Sequence, residues 1–319
     1  MKGLIAAAIA VFLATPALGQ LLEFELARQS CFNAGAFNHS TQQRIANCNS
    51  VMASSFTPRQ ELGLVYEQRA FLHLENGDRV AAESDAQRAH QTGFLQSAQR
   101  LLALIAIQNW DLDRARDLLL NPRMRQPTTR SDAVEAEEQR GNATLRAHLW
   151  LIMGDFQAVQ SELDAALRLA EPNLMYFIIA GDLALARGET QRAFDFLSQA
   201  SRINQHAALL SLCALNARSL ITPEACERLR REVSPNSDWW IAVRTAEAVY
   251  RMRVNQIDQA DRLLAEVLQR QPADPMALYI RSQLRLRQGN PAAARTDEDR
   301  ARQRYHRIAA HAAERFGRF

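Results

Sequence analysis

Pairs of small residues twelve positions apart, returning at a nearly fixed interval, constrain this chain more than any other feature. Ala70 and Ala82, Ala103 and Ala115, Gly181 and Ala193, Ala248 and Ala260, and Ser282 and Ala294 share that spacing. Ala147 and Val159 follow it with a larger second member, and Ala214 and Cys226 fill a gap in the series. Successive pairs lie 33 or 34 residues apart: Ala70 to Ala103 is 33, and Ala147 to Gly181 and Ala248 to Ser282 are 34. A further small residue often stands seven positions on, at Ala89, Ala166, Ala200 and Ala301. Two antiparallel helices joined by a tight turn bring one residue of each to their crossing, and small side chains there let the axes approach closely. The midpoint of each pair should then fall at a turn. It falls at Asn76-Gly77-Asp78, Met153-Gly154-Asp155, Arg187-Gly188-Glu189, Asn255-Gln256 and Gly289-Asn290-Pro291. Glycine there ends the first helix in a left-handed cap, and Asn290-Pro291 starts the second. Asp274-Pro275, Thr222-Pro223 and a capping box at Thr57-Pro58-Arg59-Gln60 predict three further helix starts.

On these residues the chain resembles the tetratricopeptide-repeat family, a 34-residue helix–turn–helix unit. The match is fullest over 173–205, with Gly181, Gly188, Ala193 and Ala200, and over 141–172, with Trp150, Gly154-Asp155-Phe156 and Ala166. The unit 241–272 ends on Pro272, as members of the family often do. The resemblance implies an all-α fold: an α-solenoid of stacked antiparallel helix pairs in a right-handed superhelix. About seven units are expected after an N-terminal disulfide hairpin. The units fall in 57–121 and 140–305, with 206–234 degenerate. Ala103 to Ala147 is 44 residues, so 122–139 reads as an insertion or loop, and 306–319 as a capping helix or tail.

The N-terminus reads as a targeting segment. Met1-Lys2 gives a charge, Leu4 to Ala14 is apolar, Thr15-Pro16 breaks it, and Ala17-Leu18-Gly19 is a small-x-small cleavage pattern. Residues 1–19 are therefore expected to be a signal peptide, with Gln20 as the new terminus. No cysteine follows the cut directly, which argues against a lipid anchor, and no later segment is long and apolar enough to span a bilayer. A periplasmic or secreted protein meets an oxidising compartment, so four cysteines suggest two disulfides. Local order favours Cys31–Cys48 and Cys213–Cys226 among the three possible pairings. Helices over 25–37 and 41–52, turning at His39-Ser40, would face Cys31 to Cys48. The segment around Cys31, Gln43 to Cys48 and Arg69-Ala70 also resembles the cysteine-bearing leader of exported bacterial repeat proteins. Cys213 and Cys226 could instead be buried free thiols.

Hydrophobic residues make up 47% of the 319, enough for a sizeable core, while 38 basic and 35 acidic residues leave a net charge of only +3. That balance gives little reason to expect nucleic acid as a partner. Lys2 is the one lysine, so the mature chain carries arginine alone. Zincin, nucleophile-elbow, phosphate-loop and dinucleotide motifs are missing, and the seven histidines are scattered. No catalytic residue, metal ligand or cofactor is expected.

The reading is a binding scaffold. From the repeat frame, first helices should line a concave groove with Phe71, Leu74, Met175, Ile178, Asp182, Val249, Met252 and Tyr279, joined by His148, Leu151 and Gln283. These positions are free of the crossing duty of the small residues, and many are apolar, as a bound helix or extended peptide requires. The family's carboxylate clamp uses lysine, which the mature chain is expected to lack. Trp239-Trp240 could anchor a partner or pack on the degenerate unit. The arginine-rich tail after Arg300 could meet an anionic membrane or cap the solenoid. The function expected is a non-enzymatic exported adaptor that holds a protein or peptide in the groove, in cell-envelope assembly or maintenance. The alternative is an envelope enzyme or membrane-surface factor whose site carries no known motif.

Overall fold

The computed structural model describes residues 16–33, 39–59, 61–92, 95–121, 132–219, Cys226, Arg228, Arg231 and 238–317. Most of the predicted signal peptide and the predicted helix start at Thr222-Pro223 lie outside these. The described residues are helical and contain no strand. The chain divides into two compact units, one comprising Met1–Ile105 with Asn121–Pro127, the other Ala106–Leu120 with Thr128–Phe319.

In the first unit, α1 (Pro16–Phe32) and α2 (Thr41–Ala53) form a hairpin, followed by α3 (Leu62–Glu75), α4 (Arg79–Gln91) and most of α5 (Leu95–Gln108). Ser40 and Gln43 build a reciprocal capping box at the start of α2. The disulfide Cys31–Cys48 ties α1 to α2 with Cα atoms 4.9 Å apart, and both cysteines are fully buried with Val51, Val65 and Leu72. Arg44 crosses the hairpin and donates to the carbonyls of Ser30 and Cys31, both at 3.2 Å. The capping box expected at Thr57 involves Gln60, which lies outside the described residues. The Thr57 hydroxyl turns back to the Val51 carbonyl, and α3 starts after Glu61, which makes no side-chain cap bond.

The second unit holds α6 (Leu112–Leu120), α7 (Asp132–Met153), α8 (Phe156–Leu169), α9 (Leu174–Arg187), α10 (Thr190–Ile203) and α11 (Gln205–Ser219). It continues with α12 (Asp238–Arg253), α13 (Ile257–Arg270), α14 (Pro275–Arg287), α15 (Pro291–Arg304) and α16 (Ile308–Phe316). Helix α7 pairs with α8, α9 with α10, α12 with α13, and α14 with α15. First helices also meet one another: α7 with α9, α9 with α11, and α12 with α14. They form a continuous first-helix face. Part of the expected 122–139 insertion is helical, because α7 begins at Asp132 and is 22 residues long.

Every predicted turn glycine has positive φ: 78° at Gly77 and Gly154, 82° at Gly188 and 75° at Gly289. The equivalent places in other units hold Asn255 and Trp110, both at φ 60°. The pairs Ala70/Ala82, Ala147/Val159, Gly181/Ala193, Ala248/Ala260 and Ser282/Ala294 lie on helices that pack against each other, as expected. Ala70, Ala82, Ala147, Val159, Ala193, Ala248, Ala260 and Ser282 are all fully buried. At Gly181 the approach is closest, since a Cβ there would stand 2.7 Å from the Leu197 side chain. Cys213 and Cys226 are bonded, with Cα atoms 4.8 Å apart, which decides against free thiols.

An ionic layer accompanies the crossings. The residue before the first small position is arginine in three units, and its guanidinium grips an acid sixteen residues on. Arg69 holds Asp85 with two bonds of 2.6 Å, Arg146 holds Glu162 at 2.7 and 2.8 Å, and Arg281 holds Asp297 at 2.6 and 2.7 Å. Parallel N–H···O pairs of this kind fix orientation as well as charge. In the unit of α12 and α13 the sign is reversed: Glu247 stands before Ala248 and is flanked by Arg244 and Arg251.

Candidate protein-binding face

The predicted groove residues divide by burial. Phe71 in α3 and Met175 in α9 are exposed, at 40% and 39%. Ile178, Asp182, Tyr279, His148 and Gln283 are partly exposed. Leu74, Leu151, Val249 and Met252 are buried in the core, which corrects their expected role. Val249 and Met252 belong to the main core cluster of the second unit, together with Ile308, Ala312 and Phe316.

Those last three residues explain why the face differs from expectation. The tail read as a terminal cap or membrane helix is α16, and it packs against α9, α11 and α14. Ile308, Ala312 and Phe316 recur every fourth position, so they form one apolar stripe on a helix. Within α16 only Ala310 is exposed. The sequence hides this because the stripe is short and interspersed with arginine and histidine.

Polar contacts fix the direction of α16. At its start, the Tyr305 hydroxyl donates to the Ile152 carbonyl, and Arg307 donates to the same oxygen at 3.0 Å and to Glu314 at 2.6 Å. A Cβ on Gly154 would meet the Arg307 guanidinium, which would have to shift, while the φ of 78° is what calls for glycine at this turn. Trp110 lies against Tyr305, with ring centroids 5.3 Å apart. At its end, Arg218 donates to the Glu314 carbonyl at 2.8 Å, and Arg253 to the Phe316 carbonyl at 2.6 Å. Cations suit a helix C-terminus, where the last carbonyls lack internal partners.

The two arginines belong to a row set by the repeat. Arg218 reaches the Leu185 carbonyl at 2.5 Å, Arg253 the Arg218 carbonyl at 2.9 Å, and Arg287 the Met252 carbonyl at 2.7 Å. Each is the end of one first helix gripping the end of the preceding one. Burial, followed by the charges of Arg218 and Arg287, lowers the pKa of Arg253. The recurrence of arginine near the end of first helices was the available sequence signal.

Midway along α16 is a polar station. His148 of α7, Asp182 of α9, and His311 and Arg315 of α16 interact there. Burial, then Arg315 and His311, press the His148 pKa down to about 4. Burial also lowers His311, an effect opposed by Glu314 and deepened by Arg315 and Arg307. Burial raises Asp182, while Arg315, Ser211 and His311 oppose that rise. Nδ1 of His148, Oδ1 of Asp182 and Nδ1 of His311 are buried without a hydrogen bond. The Glu314 carboxylate is 3.9 Å from His311 Nδ1, too far for one. A cavity of about 20 Å³ borders Asp182, Leu185, His311, Glu314 and Arg315.

Trp240 is a packing residue. It is 7% exposed, with the Arg270 guanidinium 3.9 Å from its ring centre and that of Arg244 at 5.1 Å. The side chain of Trp239 lies outside the described residues. Among the described residues no cluster of His, Cys, Asp and Glu could hold a metal ion, and no helix is long and apolar enough to cross a membrane.

Neither protein-family models nor curated proteins match the sequence. Solved structures do. The Rap protein complexed with Competence and Sporulation Factor aligns over 97% of this chain and 92% of its own, with a TM-score of 0.61 at 10% identity. A tetratricopeptide repeat protein from Parabacteroides merdae ATCC 43184 aligns over 80% of this chain and 98% of its own, with a TM-score of 0.47 at 14% identity. Likeness at these identities concerns the fold. The repeat frame, the helix pairs it produces and the likeness in fold to the Rap protein identify the chain as an all-α solenoid of stacked antiparallel helix pairs, a tetratricopeptide-repeat-like fold.

Proposed function

We propose that this protein is a non-enzymatic, exported scaffold that binds a protein or peptide through the first-helix faces of its repeats, in cell-envelope assembly or maintenance. The observation that carries the reading is the exposure of large apolar side chains on first helices. Leu64 and Phe71 on α3 are 41% and 40% exposed, and Met175 on α9 is 39% exposed. An amphipathic helix or extended apolar peptide would cover such surface. The Rap protein, of similar fold, was solved in complex with Competence and Sporulation Factor, which supports a binding role by analogy. Export is supported by the N-terminal pattern and by two disulfides, which persist in oxidising compartments.

Phe71→Glu and Met175→Glu should leave the far-ultraviolet dichroism and the urea midpoint unchanged, because both side chains are on the surface. Capture of partners from envelope extract should fall at least tenfold for one or both. Undiminished capture by two folded variants would falsify binding through these faces. The membrane-surface alternative through a free basic tail is disfavoured, since α16 is packed rather than free.

A further inference from the structure

We infer that the first-helix face of the second unit is a receptor for one short amphipathic helix, with α16 as its resident occupant. The partner is then a helix carrying an apolar–x3–small–x3–aromatic stripe, with a hydrogen-bond donor where α16 has His311. This rests on the scaffold reading above and names the partner class. Three features of the seat argue for a receptor.

The seat reads an apolar stripe. Ile308 and Ala312 are fully buried and Phe316 is 2% exposed. It also reads polarity, because Arg218 and Arg253 take the carbonyls of Glu314 and Phe316, groups that every helix end presents whatever its sequence. Finally, α16 fits the seat imperfectly. Asp182 Oδ1 and His311 Nδ1 are left buried and unpaired beside a small cavity, and His148 Nδ1 is also buried and unpaired. A buried acceptor without a donor penalises the packing that creates it. A partner helix with lysine in place of His311 supplies a donor to Asp182 Oδ1, the carboxylate oxygen left unpaired. At nine residues α16 is too short to persist as a helix on its own, so it is ordered by its seat and can leave as a unit.

The test uses fluorescein-labelled synthetic peptides of sequence 305–317, one native and one carrying His311→Lys, titrated into the full-length wild type and the full-length Phe316→Asp variant. Aspartate at the apolar end should undock the resident helix. The native peptide should then bind Phe316→Asp at least tenfold more tightly than wild type, because an occupied seat reduces apparent affinity by its vacant fraction. The His311→Lys peptide should bind at least threefold more tightly than the native one. Equal affinity for both proteins, no binding to a folded Phe316→Asp, or no gain from lysine overturns the proposal. If Phe316→Asp fails to fold, hydrogen exchange of the wild type decides. Amides of α16 exchanging faster than those of α9 and α12 support a displaceable occupant, and exchange only with global unfolding overturns it. A wild-type dimer by light scattering, lost in Phe316→Asp, assigns the seat to a second copy and overturns the partner class. Loss of partner capture by Phe71→Glu without peptide binding removes this occupant and leaves the scaffold standing.

Discussion

Gly181 and His148 show how single residues are held by the packing of helices around them. Placing a methyl on Gly181 forces Leu197 to move, because the Cβ would stand 2.7 Å from that side chain. Gly181→Ala should therefore destabilise by about 1–3 kcal/mol despite alanine's better helix propensity, read as a lower urea midpoint at unchanged slope. His148 is a different matter, since its environment opposes charge. Its pKa falls from 6.5 to about 4 on folding, so the unfolded chain binds the proton more readily. The sign follows: stability is complete above about pH 6.5 and is lost as pH falls towards 4, by at most about 3 kcal/mol from this residue. His311 acts in the same direction, whereas the raised pKa of Asp182 acts in the opposite one. Arg307, Glu314 and Arg315 complete the charged groups around this station. Urea melts from pH 7.5 to 4.5 should show the slope, and His148→Gln should flatten it. An unchanged slope would show that His148 is not held neutral.

Elements depend on cross-ties that their sequences alone do not supply. The α1–α2 hairpin buries few large side chains, and Cys31 and Cys48 lie 17 residues apart along the chain. Closing a loop of this size stabilises by about 3 kcal/mol on the chain-entropy model. The double variant Cys31→Ser with Cys48→Ser should lose that amount and should expose α1 to proteolysis before the rest of the chain. In the last helix pair, Asp297 is 1% exposed and takes both Arg281 and Arg285. Asp297→Ala leaves two guanidinium groups without their carboxylate, and should cost about 3–5 kcal/mol, read by thermal unfolding. The spacing of sixteen from arginine to acid was present in the sequence at Arg69, Arg146 and Arg281. It passes unnoticed there because charges on helices usually face water. Only the crossing of two helices turns that spacing into a contact.

For the molecule as a whole, export is the expectation with the most direct measurement. Helix α1 begins at Pro16, so the expected cut after Gly19 falls in its first turn. N-terminal sequencing of exported protein should begin at Gln20, and a chain still starting at Met1 would overturn the leader. Export should also leave both disulfides formed, whereas protein made in a reducing compartment should carry four thiols by titration.

The repeat was legible because the physics behind it is local. A left-handed turn needs glycine or a tolerant residue, and a close crossing needs small side chains, so Gly77, Gly154, Gly188, Gly289 and their small neighbours fix helix pairs and their register unaided. The pairing of Cys31 with Cys48 followed from the same hairpin geometry, whereas the bond between Cys213 and Cys226 was decided only by the structure. The exposed face was only half legible. Phe71 and Met175 are exposed, as groove positions require, but Val249 and Met252 are buried in the core cluster that Ile308, Ala312 and Phe316 also enter. Nothing periodic links Ile308, Ala312 and Phe316 to residues more than a hundred positions earlier. Their destination is set by apolar surface left open on α9, α11 and α14 and by arginine side chains waiting for helix carbonyls. Those are long-range terms, and they exist only once the helix pairs have stacked.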